Sequence, residues 1–289
     1  MDSSALVATI KQIFYWPLYK TFTQTIFTPA FGIGLFLILF LEKIIPAEKR
    51  KKLLTVSMAN DFIWFLMESV SQAIILSSYV YFLETIYKNH LSFLTIPYIT
   101  RQQEWIQIII GVVVVDFLFW FQHVLQHKIP VLWQFHAVHH AQRSINLFTS
   151  FRYHIVEYIV RNTLVTLPLM MLSINTANIA FFVVFQDWFA RFYHSNIKTN
   201  LGLLRYLLVT PQSHRIHHSI ESKHRDRNFG SIFSVWDYLF RTQYRGYEEY
   251  PQTGIDDHSF PHEETAKLHR LVLTPLKQTL YPFRQLLKK

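Results

Sequence analysis

Eight histidines fall into three tight clusters, His123/His127, His136/His139/His140 and His214/His217/His218, each one helical turn wide and each adjoining long apolar stretches. Few features restrict a fold as severely. Every imidazole carries two ring nitrogens that need partners, and beside lipid partners are scarce, so the rings must converge on something that accepts their lone pairs. A metal ion does so. The pattern predicts a membrane metalloprotein whose chain folds back to deliver distant histidines to one place.

The apolar stretches set the frame. Residues 29–46, bounded by Pro29 and Pro46, are roughly long enough to span a bilayer, and residues 61–83 and 105–121 repeat that length. In the second stretch Glu68 and Gln72 stand four apart, on one helical face that is expected to look into a bundle. The third is expected to continue as helix through His123 and His127. Residues 155–192, punctuated by Pro168 and by Ser173 to Asn178, read as a helical hairpin. With 51% hydrophobic residues and 26 Phe among 289 positions, the chain is too apolar for an ordinary soluble domain. The expected fold is all-α: an integral membrane helical bundle of four to five spans with a cytoplasmic, helical, histidine-rich cap. Three regions follow: residues 1–104 as a membrane anchor with two spans, 105–245 as the histidine-bearing domain, and 246–289 as a C-terminal cytoplasmic tail.

Charge orients this frame. The basic run Lys49-Arg50-Lys51-Lys52 lies between the first two spans, which places that loop in the cytoplasm, and counting forward brings all three clusters to the cytoplasmic face. The net charge of +9 sits in such juxtamembrane runs and is not interleaved with aromatics along a groove, so nucleic acid is not an expected partner. The absence of cysteine excludes disulfides, thiolate-held zinc and iron–sulfur clusters. The N-terminus shows no signal-peptide pattern, so the whole chain is read as mature, resident in a bacterial inner membrane or the endoplasmic reticulum.

His123 and His127 form HxxxH, with side chains about 5–6 Å apart at Cβ on one helical face. Each HxxHH triplet offers three donors from a single turn. Imidazole suits zinc, copper, iron and nickel. One tetrahedral zinc takes three or four ligands, whereas eight clustered histidines suffice for two metals with positions left open. Two other chemistries use similar donors. A membrane zinc hydrolase usually mixes carboxylate with histidine, and no Asp or Glu lies inside these clusters; a metal transporter places its ligands at mid-membrane, not at span ends.

Asp116 lies seven residues before His123 and Asp187 seven before His194, where each is placed to accept an imidazole N–H; Arg191, four residues on, competes for Asp187. Asn228 stands beside the last triplet, Asn146 and Arg152 are placed to fix the loop after the second, and Trp236 and Asp237 to pack and cap the polar region. His90, His224, His258, His262 and His269 lack cluster spacing and are expected at the surface.

The order HxxxH, HxxHH and distant HxxHH, together with NLFTSFR at 146–152, FYHSN at 192–196, DRNFG at 226–230 and SVWDYLF at 234–240, resembles the fatty acid hydroxylase and sterol desaturase superfamily over about residues 105–245. The resemblance implies a non-haem di-iron site that uses O2 to oxidise an unactivated C–H bond of a lipid: a fatty acyl, sterol or alkylglycerol-like substrate. It adds His194 as a ninth ligand and His154 as a possible tenth, and zinc suits the same donors in purified protein. No dinucleotide fingerprint, haem module or cysteine cluster is present to deliver electrons. A separate redox partner, or the reduced pterin used by the alkylglycerol branch, is therefore implied.

Overall fold

The computed structural model describes residues 28–49, 55–72, 77–174, 176–263 and 268–288. Among them every regular element is helical, and extended backbone pairs only at the isolated bridges Pro46–Ile197, Leu208–Phe233 and Ser219–Thr253. The all-α expectation holds. Of the basic run, Arg50, Lys51 and Lys52 lie outside the described residues, as do residues 73–76 of the second apolar stretch and Asn175 of the expected hairpin turn.

Helix α1, Pro29–Ile44, starts where the Thr28 hydroxyl accepts the Phe31 amide and Pro29 supplies a preset φ. Thr55 caps α2, Val56–Ser71, in the same way through Met58, so this helix begins before the apolar stretch expected from residue 61. Helix α3 covers Ser77–Ile86. The third apolar stretch and the first histidine pair form one 25-residue helix, α4, Glu104–Lys128. It is the one described helix long and apolar enough to cross a membrane. Helix α1, at 16 residues, is about 24 Å long against a hydrocarbon core of about 30 Å. The expected four to five spans are therefore not evident from helix length and composition.

Pro130 opens α5, Pro130–His140, and turns the chain back onto α4. The expected hairpin is α6, Ile155–Met171, and α7, Thr176–His194, both packed on α4 and separated by a turn in which Ser173 takes φ 52°. Two glycines allow close approach. A Cβ at Gly34 of α1 would collide with the Trp188 ring of α7, and one at Gly111 of α4 would fall 2.8 Å from Ile179. Short helices α8, Pro211–His217, and α9, Val235–Leu239, lie in the polar region.

The region expected as a tail carries a further helix, α10, Leu268–Leu286, packed on α2 and α5. Its Tyr281 joins Phe260, Trp64, Ala137, Val138 and Ala141 in one core. Its scattered prolines and low apolar content hid it from the sequence reading, but Gln278 is fully buried, accepting from the Trp64 indole at 2.7 Å. Beside this core, Arg152 is wholly buried. Its guanidinium donates to Asp61 at 2.8 Å, to Glu263 at 2.7 Å and, through Nε, to the Val138 carbonyl of α5 at 3.2 Å. Asp61 also accepts from Gln142, Asn146 and Thr149. The expected bracing by Asn146 and Arg152 is thus a polar core that clamps α5 to α2.

Candidate metal centre

Helix ends deliver the donors. His123 and His127 lie at the C-terminal end of α4, the second triplet closes α5, His194 closes α7, and Thr210 starts α8 with a capping box that sets the turn bearing His214, His217 and His218. All nine imidazoles come together, in two groups. His123, His127, His136, His140 and His217 form one, and His139, His194, His214 and His218 the other; within each, the ligand atoms lie within 4.8 Å of one another. Each triplet is therefore divided between the groups, not spent whole on one metal. The groups share a wall where the His140 and His218 rings stack at 4.3 Å.

Ring nitrogens meet at distances that carry chemical information. In the first group Nε2 of His136 lies 3.1 Å from that of His123 and 3.2 Å from that of His140, which is 3.1 Å from that of His127. In the second, His194 Nε2 lies 3.2 Å from His139 Nε2 and 2.8 Å from His214 Nε2, which is 3.1 Å from His218 Nε2. The opposite nitrogens define the tautomers. Nδ1 donates from His123 to the Phe229 carbonyl at 3.0 Å, from His136 to Glu157 at 2.7 Å, from His194 to the Ala190 carbonyl at 2.7 Å, and from His217 to the Arg227 carbonyl at 2.7 Å. With the proton on Nδ1, Nε2 presents a lone pair to the cluster, and the Nε2 of His217 is buried there without a partner. Lone pairs facing each other repel unless a cation lies between them. Two nitrogens about 2.1 Å from a common ion and at right angles stand about 3.0 Å apart. The donor set fits a metal, and fits two better than one.

Electrostatics agree. Burial, reinforced by the neighbouring imidazoles, holds His136, His139, His140, His214, His217 and His218 well below the usual histidine range. The rings are therefore neutral, the form that ligates.

Residues 108–242 match the family described as fatty acid hydroxylase. This stretch is a fatty acid hydroxylase domain. Human alkylglycerol monooxygenase is 28% identical to the chain over 174 residues, covering 59% of the chain and 36% of that protein. Ornithine lipid hydroxylase OlsE of Rhizobium tropici is 27% identical over 136 residues, covering 47% and 41%. A rice very-long-chain aldehyde decarbonylase, GL1-4, is 23% identical over 182 residues, covering 59% and 28%. The chain thus spans only 28–41% of the length of these relatives. No solved structure matches it significantly.

Several expectations change within the hydroxylase domain. His154 joins neither group: its Nδ1 caps α6 by accepting the Val156 amide, and its ring packs between Phe135 and Phe283. Asp116 touches no imidazole. It accepts the Ile232 and Phe233 amides and the Trp236 indole, tying α4 to the loop before α9. Asp187 does not orient His194, whose Nδ1 is taken by Ala190, and it forms no ion pair with Arg191. Asn228 holds its loop by donating to the Ser213 carbonyl and accepting the Tyr244 amide, so it acts on the strand of chain that presents Arg227 and Phe229, not on a ring. Asp237 caps the same loop through the Phe229 and Gly230 amides, as expected. His224 is buried, bonded to Ser219 and Glu249, not at the surface; His262 is half-buried, and His90, His258 and His269 are exposed.

The orienting groups that the sequence does not reveal are Glu157 and three backbone carbonyls; Asp226 pairs with Lys128 and stands 3.6 Å from His127 Nδ1, beyond hydrogen-bond length. Carbonyls leave no trace in a sequence. Glu157 does, but only as the third residue after the His154 cap, a capping-box position. A cavity of about 320 Å³ reaches both groups, with His123, His139 and His214 in its walls. A smaller one, about 80 Å³, opens beside His127, His140 and His217.

Proposed function

We propose that the protein is a membrane-bound di-iron oxygenase that hydroxylates or desaturates a lipid with O2 and external electrons. One observation carries this: two adjacent, largely buried, all-imidazole groups open onto a single cavity large enough to admit part of an organic substrate. The naming of its relatives as lipid monooxygenases and hydroxylases supports the same chemistry. His123, His127, His136, His140 and His217 would hold one iron, and His139, His194, His214 and His218 the other. Bound iron supplies the one-electron chemistry with O2 that side chains lack.

The chain's own residues do the rest. Glu157 and the Phe229, Arg227 and Ala190 carbonyls fix the tautomer and direction of His136, His123, His217 and His194. Phe65, Phe119 and Phe151 on the cavity wall present an apolar surface to an alkyl chain and exclude water from the reacting carbon. For hydroxylation, one oxygen atom enters the C–H bond and the other leaves as water, which consumes two electrons and two protons from a separate redox partner or a reduced pterin.

A membrane setting is part of the proposal. Only 28% of the apolar window of α4 is buried by protein, and Phe36, Phe40, Trp105, Ile109, Phe181 and Val184 expose their side chains on α1, α4 and α7. These faces suit lipid, with residues 1–104 as anchor, 105–245 as the catalytic unit facing the cytoplasm, and 246–289 returning to brace α2 and α5. Metal analysis with an oxygen-uptake assay tests the function. About two irons per chain and lipid-dependent O2 consumption support it; redox-silent zinc with ester cleavage would replace it with a hydrolase.

A further inference from the structure

The 320 Å³ cavity contains two cations that its apolar function does not need. Arg191 of α7 is 94% buried by relative area, packs over Phe151 at 4.7 Å and Trp188 at 4.6 Å, and leaves Nε without any acceptor. Arg161 of α6 lies over the Tyr158 ring at 4.7 Å. Among the described residues neither guanidinium has a hydrogen bond or ion pair, although both line the cavity. The two carboxylates on the same walls do not satisfy them. Glu68 is engaged by the Tyr158 hydroxyl and the Gln72 amide, and Asp187 stays beyond ion-pair distance of both. Arg191 is buried and Arg161 half-buried, and Glu68 and Asp187 act on them only through space without contact, so both guanidiniums keep unspent donors facing the cavity that an anion would satisfy.

We infer that the cavity takes the anionic head of a single-chain lipid, a carboxylate or a phosphate, between Arg191 and Arg161, and so presents a carbon close to that head for oxidation. The distance sets how close. Arg161 lies 5.8 Å from the Tyr153 ring centre, and that ring stacks on His139 at 4.9 Å, which puts the guanidinium within about 11 Å of an imidazole of the second group. An extended chain advances about 1.2 Å per bond. The carbon reached is then within roughly nine bonds of the head. The volume agrees, since it stands at the small end of ligand pockets and has room for a head and its first methylenes.

Head-group binding stands on the cavity alone; the position of oxidation also rests on the oxygenase proposal. The test titrates the full, metal-loaded protein in phosphatidylcholine nanodiscs with dodecanoate, dodecyl phosphate and dodecanol, subtracting empty discs. At least one anionic probe should bind ten- to a hundredfold tighter than dodecanol, the value of charge-assisted hydrogen bonds. The tighter of the two identifies the head. Arg191→Gln should erase the gap while dodecanol binding and metal content stay unchanged, and Arg161→Gln should narrow it. Equal binding of all three probes by the wild type overturns the inference without recourse to any variant, and so does a gap that survives in both variants. If the gap is present but no lipid drives O2 uptake, the oxygenase proposal fails and head-group binding remains. Where turnover occurs, mass spectrometry that places the new oxygen beyond roughly nine bonds from the head refutes the positional part.

Discussion

Replacing Glu157 by Gln isolates what an orienting carboxylate does for one metal group. Glu157 Oε2 accepts His136 Nδ1 at 2.7 Å and Gln126 Nε2 at 2.8 Å, while Oε1 accepts the His154 amide at 2.9 Å. The introduced side-chain amide retains one acceptor and can keep the helix cap, since Gln serves at that capping-box position. The second acceptor oxygen, which takes the His136 Nδ1 proton and so fixes its tautomer, is lost. Changes of this kind typically cost ten- to a hundredfold in metal affinity, about 1.4–2.7 kcal/mol. Glu157 bonds to no ring of the other group, so the cost should fall on the five-histidine site alone. Competitive titration of the metal-free protein with Co(II) against a chromophoric chelator resolves the two sites. One affinity should drop and the other stay constant. Equal weakening of both, or of neither, would refute the assignment of Glu157 to His136 as an orienting group.

Other perturbations separate ligands from braces. His217→Ala should empty the five-histidine site and abolish turnover while the protein remains folded, read by metal content and O2 uptake; wild-type activity would rule out the assignment. His154→Ala should leave both sites loaded and cost about 1 kcal/mol as a lost cap, read as a small fall in thermal midpoint. Arg152→Met should cost about 3–5 kcal/mol, because Asp61 and Glu263 are left buried without their cation; a loss below about 1 kcal/mol would show that the polar clamp on α5 is not structural.

Much of the site was legible because its elements are local. HxxxH at the end of an apolar helix, and HxxHH at the ends of two short helices, announce clustered donors whatever the rest of the chain does. The long α4 and the hairpin helices followed from apolar length and from Pro168 and Ser173 as punctuation. Helix α10 did not, since its stability comes from packing on α2 and α5 and not from an apolar run. The roles of Asp116 and Asp187 were misjudged for a related reason. Spacing along a helix places a carboxylate on a face but does not say which loop that face meets, and Asp116 meets the amides of residues 232 and 233.

The division of labour among the imidazoles separates the two levels most clearly. In all three clusters the residues four apart, His123/His127, His136/His140 and His214/His218, fall in the same metal group, while His139 and His217, three residues on from the first of their triplets, fall in the other. Helix geometry is compatible with that split, since four helical residues return to within about 40° of the starting direction and three stop about 60° short. The sequence, which equally allows all three donors of a turn to meet one ion, does not determine it. Nor does it determine which group each pair enters, or that His194 closes the second one. That was decided by the docking of α5, α7 and α8 around the end of α4, where Glu157 and backbone carbonyls far apart in the chain fix the direction of His123, His136, His194 and His217.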